Sequence, residues 1–234
     1  MEFPASDYLD FSQTEHEALF QKEEPVWAPL AHIGPYLEEL LGSLDGPLLQ
    51  GTVDERAVVG DQVFLAEGAA VEAHAIIKGP AWIGAGTTVR SGAYVREKVI
   101  VGADCTLGNS SEFKNCLLFN GCEVPHFNYV GDSILGYKAH LGAGVICSNV
   151  RLDRENVKVR AEGSGYVDTG LRKFGAVVGD HTEIGCNTVL SPGTVLGREC
   201  ILYPLTSWQG VLGDRRIVRP KERPDFEEVP RRGS

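Results

Sequence analysis

Between Glu112 and Asn149 the chain reads EFKNCLLFNGCEVPHFNYVGDSILGYKAHLGAGVICSN, where His126, Tyr129 and Asn149 stand among small and apolar residues. Histidine ordinarily titrates near neutrality, which suits it to take a proton from a nucleophile. A lone histidine is more often structural, so His126 needs neighbours with a purpose. Lys78, Arg96 and Lys114 follow one another at intervals of 18 residues. Three like charges brought together cost energy unless an anion or carboxylates answer them. Few acids share that spacing, so Arg96 and Lys114 are expected to meet a phosphate. A surface lysine taken singly is more often only solvated.

The elements that would bring these residues together are set by a repeat. Apolar residues recur every six positions at Val53, Val59, Leu65, Val71, Ile77, Ile83, Val89, Val95, Val101, Leu107, Phe113 and Phe119. The period resumes at Leu135, Leu141 and Cys147, and again at Val178, Ile184, Leu190, Leu196 and Leu202. Neither a helix nor an alternating strand has this period; it is the hexapeptide signature of a parallel β-helix, a mainly β fold. An ordinary sandwich, with strands about 8–12 residues apart, is the weaker alternative. Three units would close a triangular coil stacked about 4.8 Å above the last, which puts Lys78, Arg96 and Lys114 on one corner. From Phe119 to Leu135 the spacing is 16 residues instead of 18. The backbone is therefore expected to leave its regular path around His126. The period does not set the hand of the coil, since crossover connections are right-handed in about 98% of cases.

The rest of the chain bounds the possibilities. With 234 residues, 43% hydrophobic, it can bury one substantial core, and it contains neither an apolar span of about 20 residues nor a leader. A soluble, cytoplasmic protein is expected. A net charge of −10 excludes a general nucleic-acid or anionic-membrane partner, both of which need a basic face. The six cysteines form no C-x-x-C pair and read as buried thiols of a reducing compartment. The histidines are scattered, so no metal site is expected. Residues 1–50 lie outside the repeat and read as a short helical cap over the first coil, with helices at Thr14–Lys22, opened by a capping box, and at Pro35–Leu41. The β-helix domain spans 51–213. Within it, 150–177 is a loop carrying Arg151, Arg154, Lys158, Arg160, Arg172 and Lys173, long enough to cover a ligand or to be only a solvated excursion. Residues 214–234 read as a flexible tail.

The ordered set EFKN (112–115), PHFNYVGDS (125–133), LGAG (141–144), SNVRLD (148–153) and TGLRKFGAVVGD followed by IGCN lies in a segment, from about Gly79 to Ser207, that makes up over half the chain. It resembles the acetyltransferase half of the bifunctional glucosamine-1-phosphate N-acetyltransferase/N-acetylglucosamine-1-phosphate uridylyltransferase, in its stand-alone form. The resemblance implies a left-handed parallel β-helix, a homotrimer, and acetyl-CoA bound between subunits as co-substrate. It implies His126 as catalytic base and Glu112 as its supporting carboxylate. Arg96, Lys114 and Lys173 would contact the sugar phosphate, Tyr129 and Asn149 the sugar and acetyl groups, and Ala143 and Cys186 acetyl-CoA. Two departures bear on the sugar: His140 stands where the family commonly has a substrate-touching asparagine, and the loop before Lys173 is longer. Residues 1–50 lack the glycine-rich nucleotide loop of the other half, so uridylyltransferase activity is not expected. The alternatives are an acetyltransferase for another sugar, or a trimeric scaffold that binds sugar nucleotides and partners a separate nucleotidyltransferase through the acidic N-terminal segment.

Overall fold

The computed structural model describes residues 3–161 and 165–221, and its body is a parallel β-helix of three sheets. The first sheet stacks nine short strands from Thr52–Val53 to Ile217–Val218. The second stacks eight from Val58–Val59 to Ser207–Trp208, and the third eight from Val63–Leu65 to Val211–Leu212. The chain visits the three sheets in turn, so each sheet pairs residues about one coil apart, as in Val71↔Val89 and Leu107↔Val124. Strand alternation points the hexapeptide anchors inward, and Leu65, Ile77, Leu107, Phe113, Val130, Leu135 and Leu141 form one buried column.

One anchor differs from the sequence expectation, and the difference moves the irregularity. Leu118, not Phe119, pairs with Val101 and Leu135 inside the column. Two successive coils are thus one residue short each, and neither loses two. In both, the missing residue lies between the second and third sheets, from Phe113 to Leu118 and from Val130 to Leu135. The corner that carries His126 keeps six residues between Val124 and Val130. The residues inside the two tightened corners, Asn115 and Asp132, have φ of 46° and 47°, a left-handed conformation that Asn and Asp tolerate better than most residues.

The third sheet is apolar on both faces. Its outward residues Phe64, Trp82, Ile100, Leu117, Ile134, Val177 and Val195 are buried, as is Phe119. The N-terminal segment covers them through Leu9, Leu19, Trp27, Leu30, Ile33 and Leu37, and the 150–177 excursion adds Val157, Val159 and Phe174. Residues 3–50 are therefore a lateral cover along the coils and not a lid over the first one, because the exposed apolar surface that needed burying ran along the sheet. The helix expected at Pro35–Leu41 is present as Ile33–Gly42. That expected at Thr14–Lys22 is not: the segment holds one short 3-10 turn, Glu17–Leu19, and the Thr14 hydroxyl accepts from the His16 amide at 3.2 Å, closing a local turn in place of a capping box. His16 is buried against Trp82, with Nδ1 3.0 Å from the Tyr36 hydroxyl, and burial holds it down to about 4, so it is neutral at pH 7.

The excursion is a β-hairpin, Lys158–Ala161 paired antiparallel with Gly165–Asp168. Residues 162–164 lie outside the described ones, as do 222–234 of the expected tail. The coil runs on past the point where that tail was expected to begin, since Ile217–Val218 pair with Ile201–Leu202.

Candidate active site

Two corners and the face between them hold the residues of interest. At the corner between the first and second sheets, His126 ends the strand Glu123–His126 and pairs with Asn109. Its carbonyl accepts from the Gly144 amide at 3.0 Å, and the Ala143 carbonyl accepts from the Asn187 amide at 2.8 Å. His126, Ala143 and Cys186 are therefore successive rungs of one column. His126 is exposed, and so is Cys186, unlike the other five cysteines. The thiols expected to be buried are so apart from this one, and burial pushes Cys147 up to about 12, leaving it protonated. The corner is pinned from inside by Asn128, which occupies the place the repeat gives to small residues such as Ala93. Asn128 Oδ1 accepts from the His126 amide at 3.0 Å, and Nδ2 donates to the Gly142 carbonyl at 2.7 Å.

The second sheet's outer face runs from this corner to the next. Tyr94, Glu112, Tyr129 and Ile146 are in register along it, with Arg96, Lys114 and Gly131 two residues further on. The chain turns at this corner between His126 and Tyr129, and Gly131 ends the strand that Tyr129 begins. A Cβ at Gly131 would lie 2.5 Å from the Tyr129 hydroxyl and 2.8 Å from Asn149 Nδ2, so only glycine leaves room for that pair. The Tyr129 hydroxyl accepts from Asn149 Nδ2 at 3.2 Å, and burial raises the Tyr129 phenol, keeping it protonated.

The charges are arranged differently from the expectation. Arg96 does stack beside Lys114, but it pairs with Glu112 at 3.0 Å and Glu97 at 3.3 Å, while Lys114 lies 3.4 Å from Asp132. The cations are answered by carboxylates that sit one residue or one coil away, which the 18-residue spacing alone did not bring into view. Glu112 accordingly bonds to Arg96, and among the described residues no hydrogen bond joins it to His126. Lys78 lies over the Tyr94 ring, 5.2 Å from its centroid. Lys173 is exposed at the end of the excursion, and the next two amides are tied to the site, Phe174 to the Asn149 carbonyl at 3.0 Å and Gly175 to the Asp132 carbonyl at 2.8 Å.

Comparison with known proteins follows this geometry. The GMPPB C-terminal domain family matches residues 77–164. Over 206 residues the chain is 28% identical to the bifunctional sugar-1-phosphate nucleotidylyltransferase/acetyltransferase of Sulfurisphaera tokodaii, a match covering 87% of this chain and 51% of that protein. Over 156 residues it is 33% identical to the bifunctional protein GlmU of Methanococcus vannielii, covering 67% of this chain and 37% of that one. The chain is a relative of the GlmU proteins. It spans about half the length of the first of these curated relatives and less of the second. It is also 35% identical over 158 residues to YaiX, an uncharacterized acetyltransferase of Escherichia coli strain K12, covering 66% of each.

His140, the residue that departs from the resembled family's pattern, has its Nδ1 2.7 Å from Glu183 on the outer face of the first sheet. Next to that pair, Gly142, Ile184, Cys186, Leu202 and Pro204 line a largely apolar groove. Asp132, Asn115, Asn128 and Gly131 belong to the site and were not singled out from the sequence. Asp132 and Gly131 were in view within the GDS triplet, but nothing in their types distinguished a site residue from a turn.

Proposed function

We propose that the chain is an acetyl-CoA-dependent N-acetyltransferase acting on an amino-sugar 1-phosphate, glucosamine-1-phosphate first, in the synthesis of UDP-N-acetylglucosamine or a related sugar nucleotide. The observation that carries this reading is the column His126, Ala143, Cys186 beside a face bearing Tyr129 and Glu112 and bounded by Arg96, Lys114 and Asn149. His126 takes a proton from the substrate ammonium, and the freed amine attacks the thioester carbonyl. A backbone amide of the LGAG turn receives the developing oxyanion, and coenzyme A leaves as its thiol. Glu112, held by Arg96, offers a carboxylate to the ammonium, while Lys114, Asn149 and the nearby Lys173 fix the sugar phosphate. Acetyl-CoA lies along the apolar groove past Ala143 and Cys186. No covalent enzyme intermediate is needed. The name YaiX carries, an acetyltransferase, supports the same reading.

In this reading the protein is a cytoplasmic homotrimer in which a neighbouring subunit completes the acetyl-CoA site. The third sheet is already covered by its own chain, which leaves the first and second sheets, where the site lies, for contact between subunits. Light scattering is expected to give a trimer at assay concentration; a monomer that turns over normally would remove the shared site.

A second reading of the sugar is favoured by the pairing of Arg96 and Lys114 with Glu112, Glu97 and Asp132, which leaves less cation for a phosphate. Free-thiol release from acetyl-CoA, followed with glucosamine-1-phosphate, galactosamine-1-phosphate and the corresponding amino-sugar nucleotides, separates the two. The largest kcat/KM is expected with glucosamine-1-phosphate. A preference for a nucleotide-linked sugar would move the substrate. Binding of sugar nucleotides without thiol release would favour the scaffold that partners a separate nucleotidyltransferase.

A further inference from the structure

Asp132 joins more of this site than any residue read from the sequence. Its side chain is nearly buried, 5% exposed, and both carboxylate oxygens face Lys114 Nζ at 3.4 Å. Oδ1 also accepts from Asn115 Nδ2 at 2.9 Å, and Oδ2 from Asn149 Nδ2. The main chain is committed too: the amide donates to the Lys114 carbonyl at 2.9 Å and the carbonyl accepts from Gly175 at 2.8 Å. The position is the tightened corner itself, with φ of 47°.

These bonds have a consequence for the groups that would meet the sugar. An ammonium has three donors, so Lys114 keeps capacity for an anion while Asp132 fixes where its nitrogen sits. Asn149 donates from Nδ2 to both Asp132 and the Tyr129 hydroxyl. With both amide hydrogens so used, Asn149 Oδ1 is left as an acceptor for a substrate hydroxyl or amine. Asp132 is itself too buried to reach a ligand, so it acts through its partners.

We propose that Asp132 is the positioning residue of the sugar-phosphate side of the site, setting Lys114 and Asn149 in their binding geometry. This rests on the acetyltransferase reading above. In Asp132→Asn only one oxygen remains for three donors, and an amide group is turned against at least one of them. KM for the sugar phosphate is expected to rise about tenfold, which corresponds to the loss of one charge-assisted hydrogen bond, with KM for acetyl-CoA within about twofold. Because the part of the effect that passes through Lys114 disappears with that side chain, the double variant with Lys114→Ala should lose less sugar-phosphate binding than the two single losses combined. A purely structural role would lower thermal stability, move both KM values together and leave the two substitutions additive, and that pattern would overturn the proposal. If Asp132→Asn does not fold, Asp132→Glu, which keeps the charge but is too long for the corner, goes through the same cycle with the same non-additivity expected. Acylation of lysines by a small amine-reactive reagent, read by mass spectrometry, gives an arm independent of activity. Lys114 labelling should rise about tenfold in Asp132→Asn while exposed Lys158 is unchanged. If the wild type acetylates no amino-sugar phosphate, the functional reading fails by itself and the labelling still decides the contact; unchanged Lys114 labelling would show that Asp132 does not hold it.

Discussion

His126→Asn is expected to lower turnover by about two to four orders of magnitude at neutral pH while leaving the fold and the affinity for acetyl-CoA intact. Asparagine is planar and polar but cannot take a proton from an ammonium. The surroundings make the substitution a clean one. The His126 side chain is exposed, and its backbone is held on both sides, by Asn128 Oδ1 at the amide and by the Gly144 amide at the carbonyl. Removing the ring therefore takes away the base without releasing the corner. The loss should shrink as pH rises, because more of the substrate amine is then already deprotonated in solution and less is asked of the enzyme. The pH–rate profile, thermal midpoint and acetyl-CoA affinity need to be measured on one preparation. A folded variant that binds acetyl-CoA and turns over near the wild-type rate at pH 7 would take His126 out of the mechanism and return the scaffold reading to first place.

How much of this could be read beforehand depends on which physical signal each element leaves in the sequence. The coil left a strong one, because every inward position must be apolar and every turn short, and anchors such as Leu65, Ile83 and Leu107 fall where the period puts them. Phe119 misled for a related reason. Where a sheet is covered on its outer side, outward positions become apolar as well, so CLLF offers several candidates for one anchor and the period cannot choose among them. That choice relocated the irregularity from the corner of His126 to the corner of Asp132.

The site was legible by residue type more than by geometry. Tyr129 and Asn149 meet on the second sheet's face, and His126 stands at the corner beside it. What spacing could not supply was which carboxylate meets which cation, since Glu112 and Asp132 reach Arg96 and Lys114 from neighbouring coils. Asp132 was hidden for a further reason. An aspartate after a glycine in a turn is ordinary turn chemistry, and only the lost residue between Val130 and Leu135 makes this turn the junction of three polar side chains.

The N-terminal cover leads to the other large effect, expected from Trp27→Ala. Trp27 is 2% exposed, with its ring 5.1 Å from Phe3 and 5.8 Å from Phe174. Truncating a buried aromatic of this size costs about 3–5 kcal/mol, a large share of a domain's net stability of about 5–15 kcal/mol. A lid over one end of the coil would be worth less, since the coils beneath it would still be closed on themselves. A lateral cover lies on every coil it crosses, and losing its grip exposes the outer face of the third sheet, Trp82 and Ile100 included. The damage should also reach the site, by two routes. Phe174 follows Lys173 directly and donates its amide to Asn149, and Asn115 Nδ2 bridges the Leu30 carbonyl of the cover, at 3.1 Å, to Asp132. Urea unfolding followed by fluorescence should therefore show the lower midpoint, and at a temperature where the variant is still folded the KM for the sugar phosphate should rise while that for acetyl-CoA holds. A Trp27→Ala protein with wild-type stability would mean that the cover does not hold the third sheet, and that the contacts from Leu30 and Phe174 leave the site's geometry to the coils alone.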